Sequence, residues 1–267
     1  MSGVSFFESR RPSIFAHRGG SLLGPENTLA AFDLGLQAGA DGLELDVQLA
    51  ADGVPFVHHD ETLDRTTSAS GPVAARTAAE LAEIDAGARF ADGDAFPFRD
   101  RGIGVPTLRE VLHRYPGVPI VVELKADTVE LGEAVAREVR LAEAIDRVCV
   151  AGYGTRGVAA ARRALPGVAS SASRDEVRRA VIRRLAGRPV RHADYGAYQV
   201  PERNGRIRIV TPRFIRHAHA AGFKVQVWTI DEEADIRRLL DWGVDGLFSD
   251  RPDLAVRVRD ECFPTPA

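Results

Sequence analysis

Several acidic, basic and imidazole side chains in this chain stand at spacings that suit work on a charged substrate. Glu44 and Asp46 alternate with Leu43, Leu45 and Val47, so in an extended strand both carboxylates share one face. Glu123 and Lys125 repeat that spacing around Leu124. His17-Arg18, His58-His59-Asp60 and Ser249-Asp250 each follow a short apolar run, and Trp228 ends another. On an inward face, carboxylates repel one another and lose hydration unless a cation compensates them. Oxygen donors alone suit Mg²⁺ or Ca²⁺ better than zinc, so Glu44, Asp46 and Glu123 are expected to hold one divalent cation. Lys125 is one of only two lysines in a chain whose positive charge is otherwise arginine. Its compact ammonium could balance the acids or hold a phosphate oxygen, and Arg18 could clamp a phosphate with its fork. Histidine titrates near neutrality, so His17 with one of the adjacent pair suits proton transfer. Alternation puts Val57 and His59 on one face and Phe56 and His58 on the other, which does not say which face is inward.

The elements that must carry these residues alternate between strand and helix. Strands are expected at Ser13–Ala16, Gly42–Gln48, Ile120–Leu124, Val148–Ala151, Gly167–Ser170, Tyr195–Val200, Phe223–Ile230 and Gly246–Phe248, with helical patterns between them. Val54–His58 reads as an extra short strand, and Ile207–Val210 is also strand-like. Eight parallel strands with helices in about 250 residues match a (β/α)8 TIM-type barrel. A doubly wound sheet would usually carry a G-x-G-x-x-G turn after its first strand, where this chain reads Arg18-Gly19-Gly20-Ser21. In a barrel the polar strand ends converge on one rim, and an alternating strand has no water-facing side to excuse its acids. Pro25-Glu26-Asn27-Thr28 reads as a helix-capping signal, with Asn27 or Thr28 the cap, although Glu26 or Asn27 could instead brace the site. Ala86–Gly104 breaks the rhythm, and Phe90, Phe96 and Phe98 make it either a satellite hydrophobic cluster or a small cap over the active site.

Composition narrows the class. The chain has 267 residues, 45% hydrophobic and 27% charged, with a formal net charge of −3, so one large domain or two small ones, with a sizeable core, are expected and a nucleic-acid partner is not. Cys149 and Cys262 have neither metal-ligand nor disulfide-framework spacing. No transmembrane segment is expected, and Met1–Pro12 lacks the apolar stretch of a signal peptide, which favours the cytoplasm. The arginine-rich stretch Arg174–Arg191 reads as a solvated helix face, with weak contact to anionic lipid headgroups as the sharper alternative.

Taken in order, Ala16-His17-Arg18-Gly19, Pro25-Glu26-Asn27-Thr28, Leu43-Glu44-Leu45-Asp46-Val47, His58-His59-Asp60, Arg65-Thr66-Thr67, Glu123-Leu124-Lys125, Val227-Trp228-Thr229 and Ser249-Asp250 resemble the glycerophosphodiester phosphodiesterase family over roughly Ile14–Leu254. The resemblance implies a single TIM-type barrel domain over residues 1–267, with a small cap insertion at about 86–104. It implies metal-dependent hydrolysis of a small glycerophosphodiester, such as glycerophosphocholine or glycerophosphoethanolamine, to glycerol 3-phosphate and an alcohol. By position, Glu44, Asp46 and Glu123 would be the metal ligands, and His17 and His59 the acid–base pair, which selects His59 over His58. Arg18 and Lys125 would contact phosphate, and Trp228 would wall the glycerol moiety. The attacking oxygen, water or a substrate hydroxyl, stays open, as does which histidine is the base. The competing readings are a lysophospholipase D-type enzyme acting on lysolipids, a metal-dependent barrel lyase or isomerase, and a non-catalytic phosphodiester-binding protein. One departure is Asp231, where the family often has Asn; locally it reads as a helix N-cap.

Overall fold

The fold is seen in a computed structural model that describes residues 5–185 and 193–264. Its strands are β1 (Ser13–Ala16), β2 (Gly42–Leu49), β3 (Pro55–Val57), β4 (Ile120–Leu124), β5 (Val148–Gly152), β6 (Ala169–Ser170), β7 (Ala197–Pro201), β8 (Arg203–Asn204), β9 (Ile207–Arg208), β10 (Lys224–Trp228) and β11 (Gly246–Ser249). The helices are α1 (Leu29–Gln37), α2 (Ala78–Ala82), α3 (Leu108–Arg114), α4 (Val129–Leu141), α5 (Thr155–Ala164), α6 (Arg174–Leu185), α7 (Pro212–Ala220), α8 (Glu233–Asp241) and α9 (Pro252–Cys262). Parallel pairing runs β6-β5-β4-β2-β1-β11-β10-β7. The ring then closes through Gly196 N–H on Ser170 O (3.0 Å) and Ala172 N–H on Ala197 O (2.9 Å). The expected (β/α)8 barrel is therefore the observed one.

One expectation about strands needs amendment, and the expected extra strand is found. Ile207–Val210 adds nothing to the barrel: β9 pairs antiparallel with β8 as a hairpin outside the ring. That hairpin lies in the connection after β7, where no barrel neighbour is free to accept it. The extra strand β3 pairs antiparallel with the far end of β2, Val47–Leu49 against Val57–Pro55, beyond the ring proper. Of the stretch Arg174–Arg191, α6 covers the first part, while residues 186–191 lie outside those described.

Strand alternation sorts side chains into two layers. Leu43, Leu45 and Val47 of β2 and Ile120, Val122 and Leu124 of β4 face outward, where they pack with Leu131, Val135 and Val139 of α4. The intervening positions point into the ring. Phe15, Val121, Cys149 and Phe248 make an apolar floor there, with Phe6 and Phe7 packed against it. Above that floor, in register, stand Glu44 beside Val121 and Asp46 beside Glu123. Threonines cap the helices that follow: Thr28, Thr107, Thr128 and Thr211 each accept a backbone N–H of the first turn.

Helix α1 sits unusually close to the turn that follows β1. A Cβ added at Gly35 would stand 2.6 Å from both Ala16 Cβ and the Gly19 carbonyl oxygen. Alanine normally favours a helix by about 1 kcal/mol over glycine, but here it would meet backbone that cannot rotate away. Gly35→Ala is expected to destabilise the protein by about 1–3 kcal/mol, the range for overpacking. A urea titration that shows the variant equal to or more stable than the parent would refute this packing account.

Candidate active site

The site is built at the strand C-termini from β1 outward. His17 and Arg18 form the turn after β1, with Arg18 at φ 51° and Gly19 at φ 88°. This left-handed turn presents the Arg18 N–H to Glu44 Oε2 at 3.0 Å. His17 Nδ1 donates to Asp250 Oδ1 at 2.7 Å, which leaves Nε2 on the inner side, 3.9 Å from Glu44 Oε2. Oxygens of Glu44, Asp46 and Glu123 lie within 4.8 Å of one another.

The three acids differ in how they are compensated. Asp46 is buried, yet it accepts Asn27 Nδ2 at 2.8 Å, and Lys125 Nζ and Arg18 Nε stand 3.3 and 3.2 Å from its oxygens. Burial would raise its pKa, but the Lys125 and Arg18 charges outweigh that and hold it below the usual range. Glu44 is buried too and has the Arg18 N–H as partner, while its Oε1 has no hydrogen bond. Burial, and then the charge of Asp46, push it up to about 8. Glu123 is paired with Lys125 at 3.1 Å. An orphaned buried carboxylate oxygen in an all-oxygen donor set fits a hard divalent cation.

The adjacent histidines divide as alternation requires. His58 is buried, and its Nε2–H donates to Thr62 O at 3.1 Å; burial lowers its pKa. His59 faces the site within electrostatic reach of Asp46, and its Nδ1 donates to Asp60 Oδ1 at 2.6 Å. Gln48, on the same face of β2 as the two acids, holds the loop by donating to the carbonyls of His58, His59 and Asp60. Arg65 bonds Asp60 at 2.6 Å and both oxygens of Glu26 at 2.7 Å, and Glu26 also holds Arg18 at 3.0 Å. His17 is pulled down by burial but more strongly up by Glu44 and Asp250, to about 9. Trp228 ends β10 and is 38% exposed.

The eight residues singled out in the sequence thus occupy strand ends on one rim. Both readings offered for Pro25–Thr28 are met, whereas one partner, Asp231, was misread and two, Asp250 and Arg65, were given no role. Thr28 is the cap of α1, and Asn27 braces Asp46 from both ends, accepting the Asp46 N–H as well. Asp231 is not the cap of α8, a position that Glu232 fills without a side-chain bond. Instead, Asp231 Oδ1 accepts Ser249 Oγ–H and Asp250 N–H at 2.9 and 2.7 Å. Asp250 could have been found from the closure of β11 against β1, which brings it beside His17; nothing local signals Arg65.

The segment 86–104 closes on itself. Ala86 N–H bonds Ile103 O, Phe90 meets Phe98 edge to face at 5.3 Å, and Arg99 stacks on Phe96 at 3.7 Å. It is tied to the loop that carries Asp60 and Arg65, through Arg89 Nε on Thr67 O and Ser68 N–H on Asp85 O.

Residues 17–254 match the model of the glycerophosphoryl diester phosphodiesterase family. A glycerophosphodiester phosphodiesterase of Bacillus altitudinis is 32% identical, over 93% of this chain and 98% of that protein. Among solved structures, a putative glycerophosphoryl diester phosphodiesterase from Silicibacter pomeroyi superposes with a TM-score of 0.79 at 27% identity, covering 98% of both chains. An Oleispira antarctica phosphodiesterase in complex with the product sn-glycerol-3-phosphate gives a TM-score of 0.78 at 27% identity, covering 97% of this chain and 100% of that one.

Glu44 supplies a pH test. With its folded pKa raised to about 8, the unfolded chain ionises it from about pH 4.5 while the folded chain keeps its proton. The resulting penalty on folding grows as pH rises from 4.5 towards 8. Without divalent metal, Glu44→Gln is expected to be more stable than the parent at pH 8, with the advantage shrinking towards pH 5. Urea midpoints with chelator at both pH values measure this, and a constant or reversed difference would contradict the assignment.

Proposed function

The chain belongs to the glycerophosphoryl diester phosphodiesterase family, and on that premise we propose that it hydrolyses small glycerophosphodiesters to glycerol 3-phosphate and an alcohol with a divalent cation, Mg²⁺ or Ca²⁺. The observation that carries this is the clustering of Glu44, Asp46 and Glu123 within 4.8 Å, with His17 and His59 beside it and two cations against Asp46. The three carboxylates would hold the metal, which when bound supplies charge neutralisation to a phosphodiester oxygen. Arg18 and Lys125 add positive charge at fixed positions where negative charge builds on the phosphoryl oxygens. Both are already braced, Arg18 by Glu26 and Lys125 by Glu123, so little reorganisation is needed on binding. One histidine takes a proton from the attacking oxygen, and the other gives one to the leaving alkoxide. His17 and His59 suit this because each engages Nδ1 with an aspartate and keeps Nε2 for the substrate.

Trp228, partly exposed at the end of β10, would wall the glycerol moiety. We read the chain as one barrel domain with 86–104 as a cap that shapes substrate choice, anchored as it is to the loop of Asp60 and Arg65. A second reading, lysolipids as substrates, is favoured by one observation. Leu22, Phe96, Tyr153 and Ile207 are exposed on loops that leave the C-terminal ends of barrel strands or on the cap. These apolar tips could receive an acyl chain. Among the described residues no helix is long and apolar enough to cross a membrane.

Release of glycerol 3-phosphate from glycerophosphoethanolamine, with Mg²⁺, with Ca²⁺ and with chelator, tests the first reading, and lysophosphatidylethanolamine in the same assay tests the second. Metal-dependent release from the soluble diester is expected. Silence there with turnover of the lysolipid would transfer the assignment. His17→Ala and His59→Ala should each lose about 10²–10⁴-fold in kcat with the fold intact by circular dichroism; near-parental turnover in either would sink the acid–base pair.

A further inference from the structure

We infer that Asp250 is a positioning residue for His17, and that Asp231, which touches neither the histidine nor the acidic cluster, sets the geometry of Asp250. This rests on the proposed role of His17 in proton transfer. A carboxylate can only accept, so the 2.7 Å contact between His17 Nδ1 and Asp250 Oδ1 fixes the Nδ1–H tautomer and leaves Nε2 for the reacting oxygen. The ring is itself largely buried, with 16% of its side chain exposed, so few other orientations are open to it.

Asp250 cannot drift because its backbone is held on both sides. Its N–H donates to Asp231 Oδ1 at 2.7 Å, and its carbonyl accepts Leu22 N–H at 3.2 Å. The same Asp231 oxygen accepts Ser249 Oγ–H at 2.9 Å, and Ser249 Oγ in turn accepts Arg251 N–H at 3.1 Å. One acceptor atom thereby orders Ser249, Asp250 and Arg251, the whole turn leaving β11. What the turn asks of residue 231 is an acceptor oxygen, not a charge. An asparagine amide oxygen would do the same.

His59 has an aspartate partner of its own, but in a different setting. Asp60 is engaged by Arg65, which also holds Glu26, whereas Asp250 has a second carboxylate, Asp231, as its neighbour. The two histidines therefore have separate partners, and loss of Asp250 should reach His17 and Ser21, which also bonds Asp250, and leave His59 in place.

The test uses the full chain labelled with ¹⁵N-histidine, with long-range ¹⁵N–¹H spectra to read each tautomer and His17→Asn to assign the His17 signals. Expected, in spectra taken above pH 9 where the His17 ring is neutral, are an Nδ1–H tautomer at His17 in the parent and its loss in Asp250→Ala. His59 should be unchanged. Kinetics on glycerophosphoethanolamine should show kcat down by about 10–100-fold, the usual cost of losing an orienting partner, with KM within about threefold. Asp231→Ala should lower kcat in the same way, and Asp231→Asn should restore it to within about twofold of the parent, because the acceptor is kept. If Asp250→Ala does not fold, Asp250→Leu, of similar volume and with no acceptor to offer, carries the same two readouts. An unchanged His17 tautomer in the Asp250 variant overturns the proposal, whatever happens to kcat. An Asp231→Asn variant as impaired as Asp231→Ala overturns the acceptor role. Should His17→Asn turn over normally, the acid–base reading fails instead, and the tautomer data still decide whether Asp250 orients the ring.

Discussion

Three carboxylates whose oxygens crowd within 4.8 Å inside a barrel are mutually repulsive and poorly hydrated, and most of the polar structure at the strand ends answers that one constraint. Asp46 is compensated in full, by Asn27, Lys125 and Arg18. Glu44 is compensated only in part, and its bare Oε1 marks where compensation is left for something bound. The cations recruited for Asp46, Arg18 and Lys125, are also those we propose to meet a phosphodiester. Burial of the acids and readiness for an anionic substrate are thus two faces of one arrangement, because the charge that tolerates the carboxylates is the charge that would attract the phosphate.

A second layer holds these cations still. Glu26 links Arg18 to Arg65, Arg65 reaches Asp60, and Asp60 holds His59, so a chain of charged groups runs around one side of the site. On the other side the connection is mostly through backbone, from Asp231 to Asp250 to His17. Arg65 is half-exposed, so its bonds are screened and individually weak. Their value is in geometry, since each fixes the direction of a group that would otherwise sample several rotamers.

Much of this was legible in the chain because the strongest signals are local. The alternation in β2 and β4 gives both the strands and the shared face of Glu44 and Asp46, while the pairing of Asp46 with Glu123 across the two strands adds the third acid. The weak points were elements shorter than a period. Strand β6 has two residues, and β8–β9 imitates a barrel strand because two residues of extended backbone look alike in either setting. The misreading of Asp231 has a similar origin. Asp before a helix is a good local cap, and only the approach of β11, a tertiary fact, offers it better donors. Choosing His59 over His58 needed the family resemblance, because alternation supplies two faces but no sign. The Thr62 carbonyl that engages His58 lies four residues on, in a loop with no pattern.

The ring is uneven around its circumference. Strands β2 and β4 pair over five residues, and β10 and β7 over five, while β6 contributes two residues and meets β7 through a single bridge. The outward-facing core is two clusters, one centred on β2, β4 and β5 and another on β7, β10 and β11, which meet at this thin seam and also at β1, where Ala16 belongs to the first and Ile14 to the second. Strands β1, β2, β4, β10 and β11, whose ends carry the site, lie away from that seam. Thermal breathing concentrates where hydrogen bonds are fewest. The seam at β6–β7 is therefore one place where the barrel can open without moving the charged rim, while the equally short pairings β1–β2 and β10–β11 lie beneath that rim and are tied across by Arg18 N–H on Glu44 and Asp250 N–H on Asp231.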